Sequence, residues 1–426
     1  MTGPVYESDH TSVLAAGRQV TQFADQVFTH LPRADQRRWA AAYLLGLLAV
    51  SGRKSVRSLA AAVTDSPTAS QSMHRFVNSS PWEWQPARAE LTRWTERRLR
   101  PTAWTVGTAV VPKRGNQSCG VHRRFDPVAG RSVNCQVATG LFLAAGRVQI
   151  PVDWRLHLPR EWSDERLRRR ARIPESVQPV PEWVHVLDLA DTLASALPTP
   201  LPLVADLRAY EQPDRLLHGL RQRGHDLVVT VPDTLPVVLP PVNQGARGID
   251  AAPLVSARRF LDAHGEVLRT VMASPHGGAA GAKRIVTAVA SLPRGPRAQR
   301  FCRLFAEYRA DGRGAPALWM TTLVHRPVEE LMELAGAHAW TPGALRRMEG
   351  SFGLQDFEGR SFPGWHRNVT LVSAACAYSR LAEAEPVPTA PAGPKASWLH
   401  DGPLAPSPGL PQPVRAGALS APGRRS

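Results

Sequence analysis

The chain has 426 residues, 43% of them hydrophobic, enough for two or three domains with a sizeable core. Its formal charge of +16 at pH 7 rests on 48 Arg and 4 Lys and points to a polyanionic partner, most simply nucleic acid, although such arginine usage also follows from GC-rich coding. Four scattered cysteines (Cys119, Cys135, Cys302, Cys376) form no C-x-x-C pair, and the histidines show no metal-ligand spacing, so a disulfide framework and a zinc site are excluded. The longest apolar run, Trp39 to Val50, is too short to span a membrane, and Glu7, Asp9 and His10 sit where a secretory signal would need an apolar stretch. An intracellular protein is expected.

Residues 12–100 read as helical, with apolar positions at helical spacing and the run Trp39–Val50 as a buried helix. The segment 51–84 reads as a short helix, a turn with Pro67, and a second helix carrying Gln71, His74 and Arg75. That pattern fits either a helix-turn-helix on DNA or an ordinary helical bundle. From Trp104 the period changes. "WTVGTAVV", "VNCQVATGLFLA" and "RVQIPVDWRLHL" read as three consecutive strands of an antiparallel meander. "REWSDERLRRRARIP" then predicts a basic helix capped by Ser163. "LPLVADLRAY" predicts a strand ending in Asp206, followed by a helix over "QPDRLLHGLRQRG" and a strand over "HDLVVTVP".

Residues 232–300 read as irregular, with "SPHGGAAGAKR" as a mobile loop. A strand over "APALWMTTLV" and helices near 327–337, 342–352 and 366–384 follow, and the Pro-rich end is expected to be disordered. The fold class is therefore α/β, a mixed sheet with flanking helices preceded by an all-helical N-terminal part. No phosphate-cradling Gly loop and no Ser or Cys nucleophile motif is present.

Several stretches resemble the bacterial insertion-sequence 701 family of cut-and-paste transposases. They are "VPKRGNQSCGV", "NCQVATGLFLA", "IPVDWRLHLPREWSDERLRRRARIP", "VADLRAY" and "FGLQDFEGRSFPGWHRNVTLVSAACAYSRL", and the resemblance runs from about residue 20 to 385. It implies a ribonuclease-H-like core interrupted by an insertion. The domains it suggests are a helical, DNA-binding 1–100, core segments at 101–231 and 316–385, an insertion at 232–315 and a disordered tail at 386–426. The family uses three acids to hold two divalent ions, Mg²⁺ or Mn²⁺, which stabilise the attacking and leaving oxygens of the cut strand.

Registered on Pro112, Lys113 and Gly115, the first acid's place is held by Gly107, with Thr108 and Ala109 beside it. The second matches Asp206, followed unusually by Leu207, Arg208 and Ala209. The third falls on Pro342, where Thr341 as cap and Pro342 at the first helical position make a plausible helix start. Two of the three ligands are missing, so no metal cofactor is expected unless the site is active. Asp206 reads either as a metal-binding remnant or as a strand-end carboxylate that caps the next helix or pairs with Arg208. Asp153 and Glu358 are substitute ligands or structural carboxylates, Glu358 then pairing with Arg360 or a backbone donor. Lys113, Arg114, Arg123, Arg124, Arg168, Arg169 and Arg360 read as phosphate contacts or solvated surface. Trp365 and His366 read as core and helix-cap residues first and as DNA contacts second.

What the resemblance implies is a transposase-derived DNA-binding protein that has lost strand cleavage, cytoplasmic and nucleoid-associated, with a homodimer compatible. The alternatives are an active metal-dependent transposase using displaced ligands, and a scaffold reused to bind protein or a small molecule.

Overall fold

The computed structural model describes residues 6–126, 130–238, 253–272, 281–293, 301–308 and 316–382. The chain divides into two units, Met1–Val387 and Pro388–Ser426, and every described residue lies in the first. The Pro-rich tail and most of "SPHGGAAGAKR" lie outside the described residues.

Five helices open the chain: α1 (Tyr6–Val27), α2 (Ala34–Ala49), α3 (Val56–Ala61), α4 (Ala69–Asn78) and α5 (Trp84–Leu99). The apolar run from Trp39 forms most of α2, burying Tyr43, Leu44 and Leu47. Gly46 lets α3 approach closely, since a Cβ there would meet Leu59 at 3.0 Å. Ser55 caps α3 by accepting from the Ser58 amide.

The strands join in one twelve-stranded sheet. β1 (Ala103–Pro112) pairs antiparallel with β3 (Arg131–Ala145), which pairs antiparallel with β4 (Val148–Leu156). On its other side β1 pairs in parallel with β5 (Leu203–Asp206), and β5 in parallel with β6 (Leu227–Thr230). β5 and β6 are short and almost wholly buried, as parallel strands covered on both faces must be. The five-strand order is thus β4–β3–β1–β5–β6.

Three features correct the sequence reading. A further strand, β2 (His122–Asp126), lies between the first two strands of the expected meander and pairs with the first part of β3. The basic helix α6 (Glu165–Ala171) is capped by Asp164, which accepts from the Leu167 amide, and not by Ser163. A helix absent from the reading, α7 (Glu182–Ala196), precedes β5, and the expected α8 (Pro213–Gln222) follows it.

The described residues between 232 and 308 are more regular than expected. They form β7 (Pro236–Val238), β8 (Leu254–Ser256), α9 (Ala257–His264), β9 (Glu266–Met272), β10 (Gly281–Ser291) and β11 (Phe301–Tyr308). β11 pairs with β12 (Trp319–Thr321), which pairs antiparallel with β6, so these strands continue the central sheet.

The chain then runs through α10 (Val328–Ala337), α11 (Thr341–Phe352) and α12 (Phe362–Leu381). α10 covers the sheet face carrying Ala103, Val204, Val228 and Ile285. α12 is buried nearly all round, including Trp365 and His366, because it packs on the N-terminal helices and on β4 at once. One hydrophobic cluster runs from Phe23 and Leu44 through Trp154 to Leu371. No helix among the described residues is long and apolar enough to cross a membrane.

Candidate functional site

The positions expected to carry the three acids lie on β1, at the end of β5 and in the first turn of α11. Gly107 pairs with Gly140 across β1 and β3 and faces α11. A Cβ on Gly107 would meet Thr341 Cγ2 at 2.8 Å, Leu345 Cδ1 at 3.0 Å and Phe142 Cε2 at 3.3 Å. The first turn of α11 therefore sits directly on the strand, in space an acidic side chain would need.

A buried polar chain fixes that contact. Thr341 Oγ1 donates to Thr105 Oγ1 at 2.9 Å, Thr105 donates to Gln149 Oε1 at 2.7 Å, and Gln149 Nε2 donates to the Ala337 carbonyl at 2.9 Å. Thr341 is thus the first residue of the helix and spends its hydroxyl on the sheet. Trp340 holds the N-cap position with no side-chain cap bond, and Pro342 follows Thr341 in the first turn. This corrects the reading of Thr341 as the cap.

Asp206 ends β5 half-buried and pairs with Arg208 as expected, but it caps a short 3-10 turn and not the next helix, α8, whose N-cap is Gln212. It accepts the Arg208 amide at 3.0 Å, capping a short 3-10 turn, and it takes a two-pronged bond from the Arg208 guanidinium at 3.0 and 2.8 Å. The Thr230 hydroxyl also donates to it. Burial opposes its charge, but these bonds outweigh burial and hold the carboxyl down to about 2. The neighbouring turn His338–Trp340 packs beside β5, and burial lowers the His338 pKa against the opposing pull of Asp206.

The proposed substitute acids lie elsewhere. Asp153, on β4, is 3% exposed and bound by Arg88 at 2.8 Å, Arg155 at 2.9 Å and the Trp154 amide at 2.7 Å. Burial works against its charge, yet Arg155 and Arg88 keep its pKa below the ordinary carboxylate value. Glu358 is exposed and pairs with Arg53, not with Arg360. The structure therefore does not bring Asp153, Asp206 and Glu358 together.

The donor set does not fit a two-ion site. Mg²⁺ or Mn²⁺ needs clustered free carboxylate oxygens, whereas Asp206 is committed to an arginine and Gly107 and Pro342 offer none. Among the described residues no group of three or more His, Cys, Asp or Glu side chains is arranged to hold a metal ion.

The basic residues divide. Arg114, Arg123, Arg169 and Arg360 are exposed, Arg169 bridging to Glu165 one helical turn away. Arg124 pairs with Glu182 at 2.6 Å. Arg168 is spent on the backbone, donating to the Pro174 and Val177 carbonyls at 2.8 and 2.7 Å. Lys113 donates to the Phe357 carbonyl at 2.7 Å, and burial, opposed by Asp356 and Glu358, pushes its pKa down to about 8.

Sequence reasoning missed Arg88. It lies on the buried stripe of α5 with Ala87 and Leu91, and besides Asp153 it donates to Thr370 Oγ1 at 2.7 Å and the His366 carbonyl at 3.0 Å. The signal was an arginine at a core position of an amphipathic helix. No curated protein matches the chain. The family model described as DDE superfamily endonuclease matches residues 26–274, more than half the chain, taking in α2–α5, β1–β5 and Asp206. The chain therefore belongs to the DDE superfamily endonuclease family.

Proposed function

We propose that this protein binds DNA without cutting it, as a descendant of an insertion-sequence 701-type transposase whose acid triad has degenerated. The observation that carries the reading is the contact of Thr341 and Leu345 on Gly107, with Asp206 bound to Arg208 instead of a metal. The strand order β4–β3–β1–β5–β6, antiparallel and then parallel, supports a ribonuclease-H-like core, with residues 232–315 as an insertion that lengthens its sheet. The α3–turn–α4 unit leaves Gln71, His74 and Arg75 exposed, which suits a helix presented to a groove. Arg114, Arg123, Arg169 and Arg360 supply cations for phosphates, and Lys113 and Arg124 adjoin them. On this reading the protein is nucleoid-associated and needs no metal cofactor, and a homodimer is compatible with it.

Duplex binding and plasmid nicking test the reading together. Affinity is expected to fall by roughly a thousandfold between about 50 and 200 mM salt if six or so phosphates are neutralised. Supercoiled plasmid with Mg²⁺ or Mn²⁺ is expected to stay intact. Absence of duplex binding at low salt, or nicking that disappears in Asp206→Ala, overturns the proposal.

One observation favours a second reading, a scaffold reused for small-molecule binding. Leu345 and Phe142 make the former metal position apolar. Ligand binding without any duplex affinity would select it.

A further inference from the structure

A cavity of about 360 Å³ lies against the segment Ala209–Glu211 that follows β5, walled also by His122, Arg123 and Arg124 of β2, His157 after β4 and Trp183 at the start of α7. Its size is at the lower end of the roughly 300–1,000 Å³ typical of small-ligand sites. Tyr210, also in its wall, links it to the strand end: burial and then the Glu182 and Asp206 carboxylates raise the phenol pKa, so the hydroxyl stays a donor.

The chemistry of the wall is mixed in a specific way. Arg124 is neutralised by Glu182, but Arg123 is exposed and has no ion pair among the described residues. Trp183 is half-buried, and its indole N–H has no hydrogen-bond partner among the described residues. Glu211 is exposed. A bare phosphate would use the cation and leave Trp183 and Glu211 without a role. An acidic peptide would place further carboxylates against Glu211. A metal is not favoured, since no group of three or more His, Cys, Asp or Glu side chains among the described residues is arranged to hold one. Arg123, unpaired among the described residues, the Trp183 ring and the Glu211 carboxylate together match a ligand with an anionic end and an amine-bearing flat ring.

We propose that this cavity binds a single nucleotide, with Arg123 meeting the phosphate, the Trp183 indole stacking on the base and the Glu211 carboxylate accepting from the base's amine hydrogens. The nucleotide is either a free mononucleotide or an unpaired nucleotide of a DNA strand. The second source rests on the DNA-binding reading above, and the first does not.

Calorimetric titration of the full-length protein separates these cases. The probes are the four deoxynucleoside 5′-monophosphates, deoxyadenosine, inorganic phosphate, a blunt duplex and the same duplex with a one-nucleotide overhang. At least one monophosphate, or the overhang duplex relative to the blunt one, is expected to bind more tightly than the partial ligands. Trp183→Leu is expected to weaken that binding about tenfold, the scale of one lost base stack. Glu211→Gln, on an exposed side chain whose loss should not disturb folding, is expected to change the order of base preference. Tight monophosphate binding identifies the free ligand, and an overhang preference alone identifies the strand-borne one. If no monophosphate binds above phosphate and the overhang gives no advantage, the inference fails even when blunt duplex binds. If monophosphate binds and neither duplex does, the inference stands and the DNA-binding proposal fails.

Discussion

Two carboxylates of the same sheet meet arginine in opposite surroundings. Asp153 on β4 lies between Arg88 and Arg155, with the Asp153 and Arg88 side chains 5% and 2% exposed. Asp206 at the end of β5 holds Arg208 with the two side chains 25% and 46% exposed. The first arrangement stakes folding on its pairing, because removing one partner strands a buried charge. The second costs little to break, because water replaces either partner. A carboxylate committed to an arginine therefore carries stability in one place and, in the other, is an oxygen donor held by a cation.

Asp153→Ala should give the largest effect, a loss of about 3–5 kcal/mol in urea unfolding, since Arg88 would stay buried without its anion. A loss under about 1 kcal/mol would break the comparison. Acid should come next. Burial holds the His185 pKa down to about 3, with His157 and Arg155 adding to it, and it lowers His157 and His366 as well. The His185 imidazole therefore stays neutral in the folded protein while it titrates near 6.5 when unfolded, so the unfolded chain binds more protons below that pH. Stability is expected to decline as pH falls from about 6.5 towards 3, by up to about 1.4 kcal/mol per pH unit for His185, with His157 and His366 acting in the same direction. A flat profile of midpoint against pH across that window contradicts the burial argument.

Gly107→Asp, which places an acid on β1, should destabilise by about 1–3 kcal/mol through overpacking against Thr341 and Leu345 and should not create metal-dependent nicking. Thermal unfolding and the plasmid assay read the two halves separately. Asp206→Asn should be the mildest, at no more than about 1 kcal/mol near neutral pH after solvent screening. Its folded pKa of about 2 lies below the ordinary carboxyl value of 3.8, so the pair's contribution is present above 3.8 and lost as pH falls through about 2. The difference between wild type and Asp206→Asn should therefore vanish in strong acid.

Much of the scaffold was legible because period 2 and period 3.6 leave plain marks. β1, β3, β4, α8 and α10–α12 fall close to where the pattern puts them. α7 also had its signal, with Val186, Leu189, Ala190 and Leu193 at helical spacing, but Pro174, Pro179 and Pro181 ahead of it make the segment read as loop. β2 had none: His122–Asp126 is short and charged, and it becomes a strand only by pairing with β3.

At the candidate site, sequence could register glycine and proline where acids were expected. It could not show what fills the space. Thr105, Gln149 and Thr341 are far apart in the chain and become a hydrogen-bonded set only when α11 settles on β1. The role of Arg88 was hidden for the same reason, since its partners Asp153, His366 and Thr370 come from β4 and α12.

The position of α12 bears on how the chain is made. Arg88 finds Thr370, Tyr43 donates to Asn368 at 3.0 Å, and Arg367 donates to the Trp82 carbonyl at 2.8 Å, so residues near the start wait for residues near 370. During translation the early helices emerge long before the segment that seals them. Until the ribosome has passed Leu381, their apolar faces and the Arg88 guanidinium lack the share of native cover that α12 supplies, and a nascent chain stalled before that point is the form most exposed to chaperones and proteases.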